Sequence, residues 1–225
     1  MDANLSQLLL FDFADTATGA LEFFPEVWTA TQGITSPELL TRREALDRLI
    51  VLDAARLSPL VAYVLATRIF ETDLDLRHRV VEIIAKILLP KETGKLTPPT
   101  VRQHLRGYCM QMEYRGIQQL LEVAEAYPEA ESYVATLLNA CSQSGTYLAE
   151  MMGDRRDPLP LRRQAINFIG RVGFLDAIPA LEKLEERLQS RMAGQKSMPF
   201  APPSAPDENS LLPIIQATLT LLHEP

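Results

Sequence analysis

The sequence predicts an all-α protein, folded as a short, irregular α-solenoid of antiparallel helix hairpins. Apolar residues recur at spacings of three and four, which places them on one face of a helix. Several of these stretches begin with Ser-Pro or Asp-Pro, a common way to open a helix. The same residue types also recur at intervals near 40 residues, the repeat length of helical solenoids.

The stretch 157–188 is the clearest hairpin in the sequence. Asp157 and Pro158 are expected to cap and open its first helix, and Gly170 and Gly173 to end it. Asp176 is then expected to cap the second helix. The two apolar faces are formed by Leu161, Ala165, Phe168, Ile169 and Val172 in the first helix and by Ile178, Leu181, Leu184 and Leu188 in the second. Because the turn is so short, we expect the two helices to pack as an antiparallel hairpin.

Three arginines mark the repeat. A small or apolar residue follows three positions after Arg42, Arg77 and Arg162, and a larger aliphatic residue follows seven positions after each. The intervals between these arginines are 35 and 85 residues. Since the second interval is close to two periods of about 40 residues, one degenerate repeat has room to lie within it.

These residues resemble the HEAT repeats. The match consists of Asp157, Leu161, Arg162, Ala165, Gly170, Gly173 and the run Ala177-Ile178-Pro179-Ala180-Leu181. Residues 90–152 show hairpins without this signature. In the family, the Asp and Arg positions tend to form a ladder between stacked repeats. The resemblance therefore implies that Asp157 with Arg162, and Asp73 with Arg77, have structural and not catalytic roles.

The N-terminal segment 1–35 is acidic and aromatic. Residues 1–40 contain six acids and no Lys or Arg, and Phe23, Phe24 and Trp28 lie among them. One interpretation is a helical cap that ends the hydrophobic stack of the solenoid. The other is a docking segment whose aromatic side chains insert into a partner.

The remaining elements follow from helix starts and breakers. Ser36 and Ser58, each followed by Pro, predict helices over 38–53 and 59–70, and Asp73 opens a third helix. Residues 90–99 are expected to form an insertion loop, with Thr97 as the cap of the next helix. Residues 194–207 are expected to form a Pro-rich loop, and 208–225 a closing helix capped by Ser210. Together these elements predict one helical-repeat domain over 1–225.

Composition narrows the classes of partner. The 225 residues carry a net charge of −7 and a pI near 5.1, so we expect no nucleic-acid partner. The apolar run 8–11 is too short to span a membrane and follows no basic residue, so neither a membrane partner nor a signal peptide is expected. A cytoplasmic location follows by default. Cys109 and Cys141 occupy apolar helix positions and are expected to be buried free thiols.

The sequence offers no catalytic, cofactor or metal site. It contains no Gly-rich phosphate loop and no paired Cys or His with ligand spacing. His78, His104 and His223 fall on three different predicted helices, and His104 and Cys109 are five residues apart, which separates them around a helix. We therefore expect a protein that is not an enzyme.

The function that these observations favour is a protein–protein interaction scaffold or adaptor, whose partner is another protein. The candidate partner-binding residues are Phe23, Phe24, Trp28, Arg77, Arg162 and Arg163, with Arg163 more accessible than Arg162. The alternative is a HEAT-like accessory or lyase-type protein that handles a small ligand or pigment, as some HEAT-like bilin lyases do. The partner, the repeat count within 90–152 and association of two chains through the terminal helices are left open.

Overall fold

A computed structural model describes residues 24–89, 97–196 and 208–224 of the chain. Every regular element in these ranges is helical, and none of the described residues forms a β-strand. The prediction of an all-α protein is therefore confirmed. The chain divides into two compact units, with the boundary between Gln111 and Met112. Each unit is described by itself, and the single domain over 1–225 stays a prediction.

The first unit is centred on a short helix. Its described part contains α1 (Pro25–Gly33), α2 (Leu39–Val51), α3 (Ala54–Leu57), α4 (Pro59–Ala66), α5 (Leu74–Leu88) and α6 (Pro99–Met110). A 3₁₀ turn, Thr67–Phe70, extends α4. Helix α4 packs against α3, α5 and α6, while α2 packs against α1.

Two helices of the first unit begin where the sequence predicts. The Ser58 Oγ accepts a hydrogen bond from the Val61 N–H at 3.1 Å and so caps α4. The Asp73 carboxylate accepts one from the Leu76 N–H at 2.9 Å and caps α5. In both cases the side-chain oxygen satisfies a first-turn N–H that has no partner within the helix.

The helix predicted over 38–53 is shorter in the structure. It begins at Leu39 and ends at Val51, because Asp53 adopts a left-handed conformation with φ of 52°. Asp tolerates this conformation better than most residues. The chain then enters α3, a separate single-turn helix that the sequence analysis did not predict.

The second unit contains the longer helices. They are α7 (Tyr114–Ala126), α8 (Glu131–Ala140), α9 (Ser144–Gly153), α10 (Leu159–Val172), α11 (Ile178–Lys196) and α12 (Leu212–His223). Helix α10 lies against α7, α9 and α12. Helix α11 packs against α12 and α9.

The sequence predicts that α10 and α11 pack against each other as a hairpin. In the structure, α12 packs more extensively against α10 and against α11 than these two helices pack against each other. Gly170 makes this approach of α12 possible, because a Cβ at that position would lie 3.1 Å from the Thr218 Cγ2. The Thr218 hydroxyl also donates to the Ile166 carbonyl oxygen at 3.4 Å. The glycine is therefore a packing residue within α10, and only Gly173, with φ of 84°, ends the helix as predicted.

Several predicted caps are not used. Helix α10 begins at Leu159 without a side-chain cap, and the Asp157 carboxylate accepts a hydrogen bond from the Tyr114 hydroxyl. Asp176 and Ser210 lie within 3₁₀ turns, Leu175–Ala177 and Glu208–Leu211, that precede their helices. The cap position of α6 is Pro98, not Thr97.

The two predicted loops fall largely outside the described residues. Of the 90–99 loop, residues 90–96 lie outside them, and α6 already begins at Pro99. Of the 194–207 loop, residues 197–207 lie outside them, and α11 continues through Lys196. Of the N-terminal segment, residues 1–23 lie outside them.

The predicted apolar faces form the core of the second unit. Phe168 is among the largest fully buried side chains, and burial of such a side chain stabilises a fold by about 1.5–3 kcal/mol. Ile117, Leu120 and Leu121 of α7 are also fully buried. Cys109 in the first unit and Cys141 in the second are buried free thiols, as predicted. Within the described ranges, no helix has the length and apolar character needed to cross a membrane.

Candidate functional site

The predicted aromatic contacts lie on the first helix. Phe23 is outside the described residues, while Phe24 and Trp28 are 59% and 48% exposed. Trp28 lies on α1, and Phe24 is the residue that immediately precedes the helix. They border the buried face that Val27 and Thr31 form, so they extend an apolar face into solvent.

The three predicted arginines divide into two groups. Arg163 is exposed on α10, whereas Arg77 and Arg162 are only 5% and 4% exposed. The greater accessibility of Arg163 relative to Arg162 agrees with the sequence analysis. The guanidinium group of Arg162, a candidate partner-binding residue, donates to the Met152 carbonyl oxygen and to the Glu208 carboxylate.

Arg77 stabilises the turn before α5. Its Nε donates to the Glu71 carbonyl oxygen at 2.8 Å. The Glu71 carboxylate in turn accepts from the Arg42 Nη2 and from the Thr72 N–H, both at 2.9 Å. Burial alone raises the pKa of Glu71, but the hydrogen bond from the Asp73 N–H and those with Arg42 outweigh burial and hold the pKa below its ordinary value. This network joins the start of α2 to the start of α5.

The two acids to which the HEAT resemblance assigns structural roles contact other helices. The Asp73 carboxylate lies 3.0 Å from the Arg43 Nη2 of α2. The Asp157 carboxylate accepts from Tyr114 of α7, and Arg162 is paired with Glu208. Asp157 and Arg162 therefore both hold internal contacts, which are structural roles.

Four arginines surround one carboxylate in the second unit. This Glu208 cluster consists of Glu208, Arg155, Arg162, Arg187 and Arg191. The Glu208 Oε1 lies 2.7 Å from the Arg162 Nη2 and 2.8 Å from the Arg187 Nη2. Its Oε2 accepts a hydrogen bond from Arg191 and lies 3.3 Å from the Arg155 Nε. Because Glu208 begins the 3₁₀ turn that leads into α12, the cluster ties the start of this turn to α10 and α11.

The arginines control the ionisation of Glu208. Its side chain is only 12% exposed, and burial alone raises the pKa of its carboxyl group. The hydrogen bond and charge of Arg162, with the charges of Arg187 and Arg155, outweigh burial and hold the pKa below its ordinary value. Glu208 is therefore ionised at neutral pH, and its single negative charge faces four positive ones.

An exposed apolar stripe runs along α4. This α4 stripe consists of Leu60 and Tyr63 on α4, Phe70 in the following 3₁₀ turn, and Tyr108 of α6. Leu60, Tyr63 and Phe70 are exposed, and the Tyr63 and Tyr108 rings meet edge to face with centroids 5.7 Å apart. Partial burial raises the pKa of Tyr108 to about 12, so its hydroxyl is neutral at physiological pH.

Exposed apolar side chains are concentrated in the first unit. In the part of the chain that the structure describes, nine of the eleven exposed large apolar side chains lie there. They are Phe24, Trp28, Leu40, Ile50, Val51, Leu60, Tyr63, Phe70 and Met110. Scattered single exposures are ordinary, but several on adjacent turns of one element are typical of an interaction surface.

The first unit also contains a cleft of about 440 Å³. Its apolar lining residues are Leu46, Leu49, Ile50, Ala55, Leu65, Ile83 and Ile87. Three basic residues at its rim are each paired with an acid: Arg56 with Asp53, Arg79 with Asp47, and Lys86 with Glu82. The pairing neutralises the rim, so the cleft suits an apolar ligand better than a charged one.

The Glu208 cluster and the α4 stripe were not predicted from the sequence. The stripe had a sequence signal, since Leu60, Tyr63 and Phe70 share one side of a helix at spacings of three and seven. The cluster had none, because Glu208 lies 46 residues from Arg162 and next to a segment that resembles a loop.

Neither a candidate metal site among the described residues nor a related protein indicates a function. The described residues contain no group of three or more His, Cys, Asp or Glu that could hold a metal ion. Comparison of the chain with protein-family models, with curated proteins and with solved structures gave no match.

Proposed function

We propose that the protein is a non-catalytic adaptor that binds another protein through the α4 stripe of its first unit. The observation that supports this proposal most directly is the concentration of exposed apolar side chains in that unit. An apolar side chain that remains exposed to water does not stabilise the fold. Its burial against a partner stabilises the complex by about 25 cal/mol per Å² of apolar surface.

The composition of the α4 stripe favours a protein partner. Tyrosine and other aromatic residues, with arginine, dominate the binding energy of protein interfaces. The charge of Arg68 lies close enough to Tyr108 to oppose the effect of burial on its pKa, so an arginine borders the aromatic pair. The rings of Tyr63 and Tyr108 would be buried at the centre of an interface, and Arg68 would form polar contacts at its edge.

The exposure of the other candidate residues decides which of them can contact a partner. Phe24 and Trp28 remain candidates for a second contact in the first unit, and Arg163 for one in the second unit. Arg77 and Arg162 are positioning residues, since their guanidinium groups bond internally. Replacing either should alter binding only through the fold.

The proposal includes HEAT-like stacking in the second unit. Helices α7, α10 and α12 contact one another in that order, and α9 and α11 contact each other beside them. Two adjacent rows of helices are the arrangement that solenoid repeats adopt. The left-handed Gly173 and the buried Arg162 also lie at positions of the HEAT resemblance.

Capture of partners by the full chain tests the adaptor proposal. A tagged chain is used as bait in lysate of the native organism, in parallel with a Tyr63→Ser, Phe70→Ser double variant and a Leu221→Ser control. Leu221 is equally exposed but lies in the second unit. We expect a stoichiometric partner with the wild-type chain and the control, and loss of most of it with the double variant.

Two outcomes would count against the adaptor. Equal recovery with all three baits would overturn the role of the α4 stripe, provided that circular dichroism shows an unchanged fold. Capture of only a second copy of this chain would indicate a homo-oligomer.

A small-ligand function is the second candidate, and the apolar cleft of the first unit favours it. Native mass spectrometry of the purified chain would show the added mass of a retained ligand. An Ile83→Trp variant, which fills the cleft, should lose that mass. A wild-type chain without added mass would remove the support for this candidate.

A further inference from the structure

The Glu208 cluster contains more positive charge than its internal contacts neutralise. Four guanidinium groups face one carboxylate, which leaves three positive charges uncompensated among the cluster residues. From this surplus, and from the open donors described below, we propose that the cluster binds a dianionic phosphate group. The site lies in the second unit and does not depend on the proposed adaptor function.

Anchoring Glu208 does not require all four arginines. Arg162 is buried and donates its Nη2 to Glu208 and its Nε to the Met152 carbonyl oxygen, so it forms a complete clamp by itself. The other three guanidinium groups share the single negative charge of Glu208 with Arg162, so a second anion would further reduce the repulsion among them. The surplus is therefore better explained by a ligand than by the needs of the fold.

Arg187 and Arg191 can reach a ligand from solvent. Their side chains are 39% and 37% exposed, in contrast to the buried Arg162. The Arg187 Nε is also shielded from solvent and has no hydrogen-bond partner among the described residues. A buried N–H without a partner is unfavourable, and an oxygen of a bound anion would satisfy it.

Arg187 is the one residue of the cluster that lines a cleft of about 500 Å³ between α9 and α11. Lys183, Arg187 and Ser190 line it from α11, and their spacings of four and three place all three donors on one side of that helix. Ala149 and Gly153 line it from α9, where their small size leaves space for a ligand. Glu186 is the one acid among the lining residues.

Phosphate fits this arrangement better than a carboxylate does. A phosphate monoester carries about −1.5 to −2 charges at pH 7 and three acceptor oxygens, while a carboxylate carries one charge. A guanidinium group carries five N–H donors, and Glu208 accepts one hydrogen bond from Arg187 and one from Arg191, so both arginines have further donors for a phosphate. A long nucleic acid is disfavoured, because the net charge of the chain is −7.

Isothermal titration calorimetry with inorganic phosphate tests the proposal, at neutral pH and with ionic strength held constant by NaCl. We expect saturable binding by the wild-type chain and an affinity at least about tenfold weaker for Arg187→Ala, since a charge-assisted bidentate contact is lost. The control is Arg171→Ala, an exposed arginine of the same unit that is paired with Glu131. It should bind as the wild type does.

A Glu208→Gln variant separates a phosphate site from a purely structural clamp. Removing the internal carboxylate raises the surplus charge, so phosphate should bind it more tightly than it binds the wild type and should raise its Tm more. The proposal is wrong if phosphate does not bind the wild type, or if Arg187→Ala and Arg171→Ala weaken binding equally. Tighter binding of O-phosphoserine than of inorganic phosphate would identify a phosphorylated side chain as the source, and the reverse order a free phosphate.

Discussion

The buried arginines show how one side chain can join two kinds of acceptor. The Arg162 Nε donates to the Met152 carbonyl oxygen at 2.9 Å, and its Nη2 donates to Glu208 at 2.7 Å. A lysine cannot reproduce this geometry, because its ammonium group is a single point at the end of the chain. The neighbouring Arg163 is exposed and has no such role.

This contrast predicts different effects of the same substitution at adjacent positions. Arg162→Lys should reduce the free energy of unfolding by about 1–3 kcal/mol, because it leaves a buried acceptor without its donor. Arg163→Lys should change it by less than about 0.5 kcal/mol, as expected for a surface position. Urea unfolding followed by circular dichroism measures both, and equal effects would contradict the clamp role of Arg162.

The lowered pKa of Glu208 predicts a pH dependence of stability. A carboxyl group whose pKa is lower in the folded protein stabilises the fold fully above its unfolded pKa of about 4.3, and the stabilisation is lost as pH falls through the folded pKa. The four arginines that face Glu208 stay charged throughout this range. Wild type should therefore exceed Glu208→Gln in stability at pH 7.

The difference between these two proteins should disappear below the folded pKa, where Glu208 is protonated and resembles glutamine. Urea unfolding of both at pH 7, 5, 4 and 3 measures it. A difference that is the same at every pH would mean that the charge of Glu208 contributes nothing to the fold.

Among the elements, the ends of helices show which local sequence signals predict the structure correctly and which do not. Gly173 ends α10 with φ of 84°, a conformation that glycine adopts without strain. Asp157 lies beside the same helix, yet its carboxylate bonds to Tyr114 of another helix. The backbone requirement at Gly173 is local and readable in sequence, while the choice between capping and a tertiary contact at Asp157 is not.

Alanine substitutions at two glycines test this interpretation. Gly173→Ala should destabilise the second unit by about 1 kcal/mol, because alanine is strained at positive φ. Gly153 ends α9 with open space around its Cβ position and without positive φ, so Gly153→Ala should be neutral or slightly stabilising. Thermal unfolding of the two variants compares them, and a larger loss at Gly153 would contradict the assignment.

The difference between local requirements and tertiary contacts also explains which parts of the fold could be predicted from the sequence. The apolar faces of α10 and α11 were predicted because periodicity alone defines them. The packing of α12 against α10 was not, since it depends on the contact of Gly170 with Thr218, 48 positions along the chain. The Glu208 cluster likewise assembles from three separate segments, and only the fold brings them together.

At the scale of the whole molecule, the two units differ in the kind of surface that they offer. The first unit exposes apolar and aromatic side chains on α4, and the charged residues around its cleft are paired with one another. The second unit has few exposed large apolar side chains in its described part but carries a concentrated positive cluster within a chain of net charge −7. Two binding events with different physical chemistry are therefore expected.

Salt should separate these two events. Raising NaCl from about 0.1 to 1 M shortens the screening length from about 10 Å to 3 Å, which weakens contacts between solvent-exposed charges but not the burial of apolar surface. Capture of a protein partner through the α4 stripe should therefore persist at 1 M NaCl, while phosphate binding at the Glu208 cluster should weaken by about tenfold or more. Partner capture and phosphate titration at both salt concentrations, with Tyr63→Ser and Arg187→Ala as the matched variants, provide the measurement. Loss of the protein partner at high salt would assign its binding to charged residues and not to the α4 stripe.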